Sequence, residues 1–116
     1  MKMPISEVAD RFTILRLKGE RTDLDVSYEI ASYKHELDSY YNIGTFIDDL
    51  YRVNGMIWDL ESDIRKGKEG ELGLKEVGRR AIEIRNLNNT RVAIKNEIVE
   101  NFKQGFTEKK VDHASE

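Results

Sequence analysis

The chain has 116 residues, of which 39% are apolar and 35% charged, with a net charge of −3, so it has room for one modest core and not for two. Having no cysteine excludes disulfides, thiolate metal sites and cysteine nucleophiles, and a single proline, at position 4, leaves the rest free of the strongest helix breaker. The opening MKMPISEVADRF lacks a long apolar run, so the expectation is a soluble, cytoplasmic protein without signal peptide or membrane anchor.

Charge is unevenly spread. Residues 1–25 carry five basic and five acidic groups, whereas residues 26–64 carry two basic and eight acidic ones. Residues 79–95 reverse the sign, with five basic side chains (Arg79, Arg80, Arg85, Arg91, Lys95) against Glu83 alone. Such a split implies either segments that neutralise each other or a basic face kept for an anionic partner.

In chain order, the 3.6-residue period predicts four helices, residues 1–102 forming one helical domain and 103–116 a polar, flexible tail. The first covers about 6–20, with Ser6 as N-cap and the stripe Ile5, Val8, Phe12 and Leu15. Ile14 and Leu17 lie off that stripe, which predicts cover on more than one side. Gly19 and the Thr22–Asp23 pair end this helix and cap a second over about 23–41, with Val26, Ile30, Tyr33, Leu37 and Tyr40 or Tyr41 inward. Asn42-Ile43-Gly44 breaks it, and Thr45 with Asp48 forms an approximate capping box for the third. There the stripe is Phe46, Leu50, Val53, Ile57, Leu60 and Ile64, with Ile47, Tyr51 and Trp58 as a second row. Asn54-Gly55 is a hairpin signal. Without alternation on either side it reads as helix, kinked at Gly55. KGKEGELG, residues 66–73, reads as a mobile loop, and the fourth helix covers about 74–102. The fold class is therefore an all-α four-helix bundle whose last two helices form a long antiparallel hairpin. At about 1.5 Å per residue the fourth helix extends roughly 40 Å, beyond what either of the first two covers. The apolar surface left over predicts a homodimer.

ISEVADRFTILRLKGER near the start, IWDLESDIR in the third helix and RVAIKNEI in the fourth resemble a family of small bacterial and phage helical proteins known only as a domain of unknown function. The resemblance spans roughly residues 4–102. Gly19 departs from it, standing where that family carries a long apolar side chain. It implies an all-helical fold and brings no activity, substrate, cofactor or catalytic residue.

On a helical wheel the fourth helix buries Val77, Ala81, Ile84, Leu87, Ile94 and Ile98. Arg80 and Arg91 fall within that arc, and Asn88 and Lys95 lie at or near its centre. An isolated buried charge is too costly for a domain of this size, so each cation must meet a carboxylate, reach solvent or await an anion. Pairing is one answer, and the third helix offers Asp48, Asp49, Asp59, Glu61 and Asp63 as antiparallel neighbours, within one chain or across a dimer. Nucleic-acid or other polyanion binding is another, through Arg79, Arg80, Arg85, Asn88, Arg91 and Lys95. A faint helix-turn-helix pattern around Asn88-Asn89-Thr90 lacks the turn glycine, since Ile82 stands there. A small-anion pocket or enzyme site is the third answer. Glu97/Glu100 and Glu7/Asp10 have the three-residue spacing of helical nucleotide pyrophosphatases, in reversed order. His35 and His113 have no third ligand at suitable spacing, so neither metal nor other cofactor is expected. The tyrosines and Trp58 read as core or interface. The resulting expectation is a non-catalytic binding protein whose most specific partner is a nucleic acid or other polyanion.

Overall fold

The computed structural model describes residues 3–65 and 69–102. Its helices are α1 (Ile5–Arg21), α2 (Ser27–Leu37), α3 (Gly44–Arg65), the single turn α4 (Glu69–Leu72) and α5 (Leu74–Phe102). The all-helical bundle follows from the stripes. Ile5, Val8, Ala9 and Phe12 of α1 meet Leu50 and Val53 of α3 and Ile94 and Ile98 of α5, and Leu37 and Ile43 close one end. α5 packs along α3 as the long antiparallel hairpin, and α1 touches α2, α3 and α5. Cover on several sides explains why Leu17, off the first stripe, is fully buried while Leu15 is only half-buried.

Several helix ends differ from the sequence expectation. Ser6 does not cap α1: it is buried inside the helix, and Pro4 occupies the N-cap without a side-chain hydrogen bond. Proline suits that place because it has no N–H to satisfy. α2 is shorter at both ends than 23–41. Thr22 turns extended, its Oγ1 donates to the Lys18 carbonyl at 2.7 Å, and it accepts from the Leu24 N–H at 3.1 Å. Asp25 then accepts from the N–H and hydroxyl of Ser27, and these bonds hold its carboxyl below the usual range. These local side-chain bonds compete with helix over 22–26. The fold-back sets Val26 against Gly19, where an added Cβ would stand 3.0 Å from Val26 Cγ2, so a side chain at position 19 would have to push the Val26 methyl aside.

Asn42, at φ 66°, turns the chain after α2, and Thr45 lies within α3, which starts at Gly44. α3 runs through Asn54-Gly55 without interruption. Gly55 faces α1: a Cβ there would lie 3.6 Å from Leu17, so α1 approaches closely on that side. Of KGKEGELG, residues 66–68 lie outside the described residues, while 69–72 form α4 instead of loop. Gly73 has φ 82°, a left-handed value that frees the chain to turn straight into α5. Phe102 closes the far end edge-on to Tyr40 (5.5 Å between ring centres) and Phe46 (6.2 Å). The expected tail, 103–116, lies outside the described residues. No described helix is long and apolar enough to cross a membrane.

Candidate functional site

Polar side chains from three helices meet where apolar ones would ordinarily stand. On α1, Ser6, Asp10, Thr13 and Leu17 share one face at helical spacing, and all four are buried. Asp10 is 1% exposed. On α3, Asn54 occupies the stripe between Leu50 and Ile57 and is buried as well. On α5, Arg91 reaches across the bundle. Its Nε donates to Asp10 Oδ1 at 3.0 Å and its Nη2 to Asp10 Oδ2 at 3.0 Å, a two-pronged contact of the kind that fixes geometry as well as charge. Nη1 donates to Asn88 Oδ1 at 3.0 Å. From the opposite side, Asn54 Nδ2 donates to Asp10 Oδ1 and Thr13 Oγ1, each at 2.9 Å, and Thr13 returns its own proton to the Asp10 carbonyl at 2.7 Å. One carboxylate thereby ties α1 to both α3 and α5.

A second crossing lies one turn further along α5. Lys95 is 4% exposed and donates to Glu7 Oε2 at 2.6 Å. Glu7 is half-buried and also faces Arg11 at 3.6 Å. Arg91 and Lys95 therefore take their carboxylates from α1, which corrects the expectation that α3 supplies them. Asp59 of α3 instead pairs with Arg21 of α1. That edge is reinforced by the Tyr51 hydroxyl donating to Glu20 and by Arg16 lying 4.3 Å over the Tyr51 ring. Donation to Glu20 raises the Tyr51 pKa.

The remaining cations of α5 sit apart from this crossing. Arg79 donates to Glu76 at 2.7 Å and to Glu83 at 2.6 Å. Arg80, half-buried, donates to Glu76 at 2.8 Å and to the Leu60 carbonyl at 3.4 Å. Hydrogen bonds from Arg79 and then Arg80 bring the Glu76 pKa from its ordinary 4.5 down to about 2. A depressed carboxyl pKa means the clasp contributes fully above about pH 4.5 and is lost as pH falls through about 2. Carbon NMR of the Glu76 carboxyl is expected to show a midpoint near 2, and Arg79→Ala to move it back toward 4.5. A wild-type midpoint at 4 or above would contradict the clasp. Arg85 is exposed and has no ion pair among the described residues, and its neighbours Asn86 and Asn89 are exposed too. Of the six sequence candidates, then, the structure brings Asn88, Arg91 and Lys95 to the crossings with α1, while Arg80 lies about three turns earlier on the same side against α3 and Arg79 and Arg85 are exposed.

Alongside the Asp10–Arg91 crossing a groove of about 390 Å³ opens between α1, α3 and α5. Ile14, Leu17, Ile57 and Trp58 form its apolar wall, and Asn54, Asn88, Arg91 and Glu61 its polar one. From the sequence, Arg91 and Asn88 are candidates, Asp10 figures only as half of the Glu7/Asp10 pair, and Thr13 and Asn54 have no part. Their signal was present: Asp10 and Thr13 lie in register with Leu17, and Asn54 with Leu50 and Ile57, as polar residues on buried stripes. Asn54-Gly55 is a hairpin dipeptide in isolation, yet within the α3 helix its register is that of Leu50 and Ile57.

Glu7 and Asp10, a candidate metal pair, hold Lys95 and Arg91 instead, and Glu97 and Glu100 are exposed on α5. Among the described residues no group of three His, Asp or Glu side chains is placed to hold a metal ion. His35 is exposed on α2, and His113 lies outside the described residues. No protein-family model, no curated protein and no solved structure matches the chain.

Proposed function

We propose that the protein is a non-catalytic helical binding protein whose ligand site is the groove between α1, α3 and α5. The observation that carries this is that Asn54 of α3 and Arg91 of α5, both bound to buried Asp10 of α1, line one groove. A bundle of this size gains little stability from such a crossing, since well-packed apolar side chains of similar volume generally serve as well or better. Polar groups that break the local apolar pattern tend to mark functional places. Trp58, the single tryptophan in the sequence, lines the groove and so reports on it. A screen of small polar compounds followed by Trp58 fluorescence is expected to give a saturable change with at least one chemical class. A flat response across neutral, anionic and cationic compounds would overturn the proposal.

Polyanion binding stands as a second reading, favoured by exposed Arg85 between exposed Asn86 and Asn89. The contact set in this reading is narrower than the charge count suggests, because Glu76 and Glu83 already hold Arg79 and Glu76 holds Arg80. It predicts a salt-sensitive mobility shift that strengthens in Glu76→Gln and weakens in Arg85→Ala; no shift at low salt rules it out. Homodimerisation is the accompanying proposal, supported by Met56 on α3 and Ile82 on α5, both about half exposed. It predicts a mass by light scattering that rises with concentration.

A further inference from the structure

We propose that the groove takes a neutral nitrogen heterocycle of the nucleobase class, an inference that rests on the groove being the ligand site. Asn54 is only 6% exposed. Both protons of its Nδ2 are engaged, one by Asp10 Oδ1 and one by Thr13 Oγ1. A carboxylate can only accept, and Thr13 has already given its proton to the Asp10 carbonyl. The amide therefore cannot be turned over, and its carbonyl Oδ1 faces away from this pair. Among the described residues nothing donates to that oxygen, although buried acceptors ordinarily have a donor.

Asn88 is fixed by the same logic in the opposite sense. Its Oδ1 accepts from Arg91 Nη1, so its amide protons point elsewhere, and no acceptor for them occurs among the described residues. Asn54 and Asn88 both line the groove, so the polar atoms they have left for a ligand are an acceptor, Asn54 Oδ1, and a donor, Asn88 Nδ2.

Charge and shape narrow the ligand further. The guanidinium of Arg91 is already matched by the Asp10 carboxylate, so a phosphate or carboxylate ligand gains little here. Ile14, Leu17, Ile57 and Trp58 make the rest of the lining apolar, which suits a ring better than a fully polar ligand. At about 390 Å³ the groove falls near the small end of ligand sites. A flat uncharged ring that carries both an N–H donor and a ring or carbonyl acceptor meets these conditions, and purine and pyrimidine bases are such rings.

The test uses the full chain labelled with nitrogen-15 and titrated separately with adenosine, uridine, ribose and acetamide. Nucleosides are expected to shift the Trp58 indole and the Asn54 and Asn88 side-chain signals saturably, and ribose is expected to leave them in place. Asn88→Asp keeps an acceptor for Arg91 while removing the donor, so it is expected to retain the fold and weaken nucleoside binding about tenfold, the loss of one hydrogen bond. Asn89→Ala, on an exposed neighbour, is expected to bind as the wild type does. Saturable shifts with acetamide or ribose but not with nucleosides would overturn the base class and leave the groove as a ligand site. Unchanged binding in Asn88→Asp would overturn the assigned geometry. No shift with any of the four, together with a flat Trp58 screen, would mean that water alone satisfies both amides, and both proposals would fall.

Discussion

Arg91→Met is expected to destabilise the protein by about 3–5 kcal/mol, the usual consequence of leaving one member of a buried ion pair behind. That corresponds to a fall of roughly 10–20 °C in melting temperature for a domain of this length. The reason lies in the asymmetry of burial. Asp10 is the fully enclosed member, whereas the Arg91 side chain is 29% exposed. Removing the guanidinium strands a carboxylate that cannot turn to water and keeps only Asn54 Nδ2 as a side-chain donor among the bonds described above. Asp10→Ala strands the arginine instead, which can lean outward, so its cost is expected to be smaller. The double variant Asp10→Leu/Arg91→Met removes both charges and is expected to recover half or more of the Arg91→Met loss. Urea denaturation of the wild type, both single variants and the double variant gives the coupling directly. If Arg91→Met falls within about 0.5 kcal/mol of wild type, the ordinary range for surface substitutions, the crossing does not hold the three helices together.

The second crossing is expected to respond in the opposite order along the chain. Here the cation is the enclosed member, with Lys95 at 4% exposure against a Glu7 side chain at 32%. Glu7→Ala takes the carboxylate from a buried ammonium and is expected to cost about 2–3 kcal/mol, toward the low end for a buried pair. Lys95→Met keeps the volume, removes the charge and leaves Glu7 able to reach solvent and Arg11, so a loss under about 1 kcal/mol is expected. Equal losses in the two variants would show that packing of the lysine stem, and not charge pairing, fixes this position. Because the crossings share α1 and α5, the Glu7→Ala and Arg91→Met losses are not expected to add.

A division follows between what the chain's order of residues decides and what its packing decides. Helix content and order are local matters. The stripes of α1, α3 and α5 repeat at the helical period, and the Leu74–Phe102 helix falls where its pattern of Val77, Ala81, Ile84, Leu87, Ile94 and Ile98 places it, except that Ala81 is exposed instead of buried. The long hairpin of α3 and α5 follows from two extended stripes joined by a brief connection. The need for Arg91 and Lys95 to find anions is local as well, since it follows from charge on a buried face.

Which anions they find is not local. Asp10 lies 81 positions from Arg91, and Glu7 lies 88 from Lys95. The α3 carboxylates were nearer in sequence and on the expected neighbour, yet α1 inserts beside α5 because Val8, Ala9 and Phe12 require cover from both long helices. That insertion brings Asp10 to Arg91 and Glu7 to Lys95. Helix ends were likewise beyond a periodicity argument where side chains compete for backbone groups, as Thr22 and Asp25 do ahead of α2.

Asn54 shows the division most clearly. Its sequence neighbours mark it as a turn residue, and its register marks it as buried. Only the meeting of three helices settles that its amide nitrogen faces Asp10 and that the residue lines a groove. Amino-acid order thus determined the helices, their stripes and the requirement for countercharge, because these depend on spacing within one element. Tertiary structure alone decided the partners and the groove, because hydrogen-bond direction and enclosed space exist only between elements.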